Sequence, residues 1–124
     1  MMINYYLNKF VNNAVVFTIV LFGTVLADPT DGCELGDNQL FLTTDGSVLY
    51  NSTTDMAGFQ FDVDGTTVGG ASGGDAASSG FTVSAGGNTV LGFSFTGSTV
   101  SAGCGTLTIL ALNGTASGLS GIIV

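Results

Sequence analysis

The chain has 124 residues, with one Lys or Arg against nine Asp and Glu, no His, and a formal net charge of −8. The single basic side chain is Lys9, so residues 28–124 carry every acid and no Lys, Arg or His. Without cations to neutralise phosphate, nucleic-acid binding is excluded for that stretch, as are internal ion pairs and any nucleophile that relies on a histidine or lysine base.

Residues 1–27 differ from the rest. Lys9 precedes an apolar run over 14–26, and Val25-Leu26-Ala27 stands before Asp28. The pattern predicts a secretory signal peptide cleaved after Ala27, with an uncleaved N-terminal anchor as the alternative. At roughly 13 residues the run falls short of the ~20 that cross a bilayer, so membrane contact is expected through this segment alone. Residues 28–124 then form one small secreted domain. Residues 28–39 read as an acidic N-terminal segment broken by Pro29, Gly32 and Gly36, and residues 40–124 as the folded domain. Cys33 and Cys104 are the only cysteines. In a secreted chain they are expected to pair, closing a loop of about 70 residues with a chain-entropy gain of roughly 4 kcal/mol. Two thiols without histidine fall short of a four-ligand zinc site.

Strand signals begin at Leu40-Phe41-Leu42-Thr43 and Ser47-Val48-Leu49-Tyr50, which flank the turn Thr44-Asp45-Gly46. Residues 57–63 alternate, placing Phe59, Phe61 and Val63 on one face and Gln60, Asp62 and Asp64 on the other. The Gly- and Ser-rich stretch 69–80 reads as a loop crossing between two sheets. Phe81-Thr82-Val83, residues 89–96, 104–112 and 119–124 supply the remaining strands, with turns at Ala85-Gly86-Gly87-Asn88 and Asn113-Gly114. About seven or eight short strands at ten-residue spacing predict an all-β, two-sheet β-sandwich of jelly-roll-like form, with barrel closure as the alternative. Phe41, Phe59, Phe61, Phe81, Phe93 and Phe95 are all expected in its core.

The strings Ala57-Gly58-Phe59-Gln60-Phe61-Asp62-Val63, Gly80-Phe81-Thr82-Val83-Ser84, Val90-Leu91-Gly92-Phe93-Ser94 and Ala102-Gly103-Cys104-Gly105-Thr106-Leu107 resemble, in order, the strand and turn pattern of the cohesin-like module. The resemblance covers residues 40–124. It implies a sandwich of the carbohydrate-binding and cohesin superfamily, extracellular and non-catalytic, that docks a partner protein or a polysaccharide. The strings around residues 58–61 and 71–75 also resemble repeat units of long secreted proteins of marine microbes and their viruses, which implies a surface or scaffold role.

Candidate chemistry is sparse. Asp62 and Asp64 share a strand face, and Asp-x-Asp-Gly opens like a calcium loop, yet no Glu follows at the twelfth position. They are the candidates for Ca²⁺; no other cofactor is implied. The same pair is too weakly specified for a glycosidase. Tyr50 is the one Tyr or Trp of residues 28–124 available for stacking on a sugar. The expected partner face is therefore Tyr50, Gln60, Asp62 and Asp64. Asn51-Ser52-Thr53 and Asn113-Gly114-Thr115 are glycosylation sequons at Asn51 and Asn113. The expected function is a secreted, non-catalytic cohesin-like binding module for an extracellular protein partner. The alternatives are a polysaccharide-binding module and a structural unit that self-associates through an edge strand at 119–124.

Overall fold

The structure, a computed structural model, describes residues 8–11, 14–17 and 28–124. The strands are β1 (Asn8–Val11), β2 (Ala14–Phe17), β3 (Gln39–Leu42), β4 (Ser47–Ser52), β5 (Gly58–Asp64), β6 (Val68–Ser72), β7 (Thr82–Gly86), β8 (Thr89–Phe93), β9 (Gly103–Leu112) and β10 (Gly118–Ile123). A 3₁₀ turn at Gly32–Glu34 and a short helix, α1 (Gly74–Ser78), complete the elements. The fold is an all-β sandwich. One sheet has the order β3-β4-β9-β6, extended at β3 by β1 and β2; the other has the order β10-β5-β8-β7. Neighbouring strands pair antiparallel. The expected signal peptide lies outside the described residues except for β1 and β2, and the strand form of those eight residues leaves the expectation of cleavage where it was.

Alternation decides what lies between the sheets. Leu40, Leu42, Val48 and Tyr50 of the first sheet meet Phe59, Phe61, Val63, Val90, Leu119 and Ile122 of the second in one buried cluster. The ring of Phe59 stacks on those of Phe61 and Phe81 at centroid distances of 6.1 and 6.0 Å. Each such side chain contributes roughly 1.5–3 kcal/mol by leaving water. The opposite set on the first sheet includes buried residues too: Phe41 and Leu49 point outward and pack in a buried cluster with Leu35. Leu35 is held there because Cys33 is bonded to Cys104 of β9 and Gly32 lies so close to Tyr50 and Gly105 that a Cβ would stand 2.3 Å from both carbonyl oxygens. The N-terminal segment is thus a clamp on the outer face of one sheet.

The Asp-Gly turn forms as expected, with Gly46 at φ 98° and the Asp45 carboxylate accepting from Thr43 Oγ1 and the Ser47 N–H. Those bonds hold the Asp45 carboxyl below its usual 3.8, the Thr43 hydroxyl contributing most.

Two expectations are corrected. The stretch 69–80 does cross from one sheet to the other, but it is not a bare loop: Val68–Ser72 is the edge strand β6 on β9, and α1 buries Ala76 completely. Glycine and serine strings serve there because β6 gains its hydrogen bonds from β9 and needs few side chains of its own. Likewise Phe93 and Phe95 are not core residues. Phe93 is half-buried on the outer face and Phe95 is 82% exposed.

Candidate functional site

The reversal at Phe93 builds the most distinctive surface of the molecule. Phe59 on β5 lies opposite Gly92 on β8, and a Cβ at Gly92 would sit 2.2 Å from the Phe59 ring. The ring fills the space that a side chain at 92 would need, so Val90 and Gly92 are the inward positions of β8. Leu91 and Phe93 must then face outward, because side-chain direction has a period of two. At the other edge a bulge does the same for β10. Gly121, at φ 58°, absorbs an extra residue between Ser120 and Ile123, which turns Ile122 into the core and Ile123 out.

Register sets the rows of this outer face. Thr82, Phe93 and Gly58 form one; Ser84, Leu91, Gln60 and Ile123 the next; Gly86, Thr89, Asp62 and Ser120 the third. Leu91 is 41% exposed and Ile123 53%, with Gln60 between them. Phe95, just beyond β8, packs edge-to-face with the Phe93 ring, the centroids 4.9 Å apart and the planes at 81°. Its loop is fixed by a hydroxyl network in which Ser94 Oγ accepts the N–H groups of Thr96 and Ser98. The acidic end is ordered as well: Thr89 Oγ1 donates to Asp62 and Ser120 Oγ to Asp64, each at 2.7 Å. The face therefore runs from two aromatic rings through an apolar row to two carboxylates. Along β5 that is about 20 Å at ~3.3 Å per residue.

Of the sequence-predicted site residues, Gln60, Asp62 and Asp64 come together here and Tyr50 does not. Tyr50 belongs to the other sheet, is 3% exposed, and donates its hydroxyl to Asp75 at 2.7 Å. Burial and then the Asp75 carboxylate push its ionisation well above 10.0. It is a core residue with a satisfied polar tip, not a stacking platform. Cys33 and Cys104 form the expected disulfide. The Asn51 amide donates to the Leu35 carbonyl at 2.9 Å, inside the clamp. Asn113 is exposed at the β9–β10 turn, where its amide donates to Thr67 Oγ1 at 2.8 Å. No third His, Cys, Asp or Glu joins Asp62 and Asp64, since among the described residues no three such side chains gather to hold an ion.

Sequence reasoning missed Leu91, Phe93, Phe95 and Ile123. Gly92 was the available signal, because a glycine amid the apolar run of an otherwise regular strand marks the face that must make room for a neighbour.

Comparisons with family models, with curated proteins and with solved structures find no match to this chain. Among the described residues no helix is long and apolar enough to cross a membrane.

Proposed function

We propose that this chain is a secreted, non-catalytic binding module, cohesin-like in its strand pattern, that docks an extracellular protein partner on the outer face of the β10-β5-β8-β7 sheet. The observation that carries the proposal is the asymmetry of the two outer faces. The first sheet buries Phe41 and Leu49 in a cluster with the chain's own Leu35 and exposes Ile109 alone among its large apolar side chains in the described residues, whereas the second leaves Leu91, Phe95 and Ile123 open to water together. Exposed aromatic and aliphatic side chains adjoining hydroxyl, amide and carboxylate groups are the composition of a protein-docking patch. The disulfide suits an oxidising, extracellular setting. The groups on this face can hold a partner.

A second reading has one observation in its favour. The exposed Phe95 ring, with Thr82, Ser84 and Gln60 nearby on the sheet, could stack on a sugar ring and hydrogen-bond its hydroxyls. The test compares the protein with a Phe95→Ser/Ile123→Ser variant, immobilised and challenged in parallel with extracellular proteins of its source and with insoluble polysaccharides. Saturable retention of a protein by the native face alone is the expected result. Retention of polysaccharide alone would move the assignment to sugar binding, and no difference between the two forms would remove this face from consideration.

A further inference from the structure

Resting on the docking reading, we infer that the partner presents a strip in which apolar side chains are followed by Lys or Arg, laid along β5. The face is graded. Phe93 and Phe95 occupy one end, Leu91 and Ile123 the middle, and Asp62 and Asp64 the other end, two residues apart on the same side of β5. Thr89 and Ser120 fix one oxygen of each carboxylate, so the two charges are presented from a rigid strand and not from mobile loops. Residues 28–124 contain no cation that could neutralise them internally. A second copy carries the same uncompensated excess of acids, so two copies repel, which argues against self-association here. A cationic partner meets no such opposition, and its charges would also be drawn by the net negative field of the molecule.

The spacing gives a probe. Same-side residues of an extended segment recur every ~6.6 Å, two residues at ~3.3 Å each, which matches the rows on β5. The experiment titrates the isotope-labelled protein with three synthetic peptides and follows backbone amide shifts. One reads Ser-Phe-Ser-Leu-Ser-Lys-Ser-Lys-Ser; in the others both lysines are serine or glutamate. The lysine peptide is expected to shift amides of β5, β8 and β10 saturably and to bind about tenfold more tightly than the serine peptide, the glutamate peptide being weakest. Asp62→Asn/Asp64→Asn should abolish that tenfold advantage while leaving the serine peptide within about twofold, and 0.5 M NaCl should reduce it in the native protein.

Equal binding of all three peptides to this face would overturn the cationic inference and leave the docking reading standing. Shifts confined to the acidic residues 28–37, or none, would overturn the inference for this face. If cellohexaose shifted the face while no peptide did, both the inference and the protein-docking reading would fall. Face shifts that followed protein concentration without peptide would identify a second copy as the occupant and overturn the inference.

Discussion

Gly92 decides which way β8 faces, and through it where the binding surface lies. Alanine there would place a methyl 2.2 to 2.8 Å from three atoms of the Phe59 ring, so the ring or the strand must move. Gly92→Ala is expected to cost about 1–3 kcal/mol of stability in urea unfolding, as overpacking does; unchanged stability would show that the ring is not the constraint. Tyr50 gives a residue-scale prediction of a different kind. Its folded-state pKa lies above the 10.0 of an unfolded tyrosine because burial and Asp75 disfavour the phenolate. The neutral form therefore contributes stability that is fully present below pH 10 and is lost as pH rises above it. Unfolding followed from pH 8 upward should show this decline, and the part due to Tyr50 should vanish in Tyr50→Phe. Phe59 and Phe61 were legible as core from their alternation. Phe93 was not, because its inward or outward sense depends on the ring across the sheet, a contact between residues more than thirty positions apart.

At the scale of elements, strands with side chains on a regular period of two were readable from the chain, and those whose phase is broken were not. The strand around 58–63 lies where alternation put it, and those around 40–42 and 47–50 lie where the Asp-Gly turn between two apolar runs put them. In β9 an extra residue opposite Val48 and Leu49 interrupts the alternation, leaving Leu107, Thr108 and Leu110 buried but Ile109 43% exposed. β6 escaped notice because an edge strand built from Val68-Gly-Gly-Ala-Ser has almost no apolar alternation to see. The N-terminal clamp carries its own prediction. Reducing Cys33–Cys104, 71 residues apart, should lower stability by about 2–4 kcal/mol. It should also uncover Phe41 and Leu49, seen as increased binding of a hydrophobic dye before global unfolding. Loss of stability without dye binding would mean that Leu35 stays in place without the disulfide. At the C-terminal edge, deleting residues 119–124 would not isolate an edge effect, because Leu119 and Ile122 are 3% and 4% exposed and belong to the core.

For the whole molecule, the sandwich has one outer face partly covered by its own N-terminal segment, at Phe41 and Leu49, and one left open, and its acids have no cations of residues 28–124 to answer them. The expected face was half legible. Gln60, Asp62 and Asp64 were visible as the polar side of β5, while the apolar residues that complete it come from β8, β10 and the loop after β8, which only the register brings alongside. The most direct measurement of the central claim is site-specific photo-crosslinking in the extracellular fraction of the protein's source, with a photoreactive residue placed at Leu91 or, on the opposite sheet, at Ile109, positions of near-equal exposure at 41% and 43%. Position 91 is predicted to crosslink a distinct protein and position 109 not to do so. Crosslinks from 109 alone, or the same pattern from both, would contradict the assignment of this face.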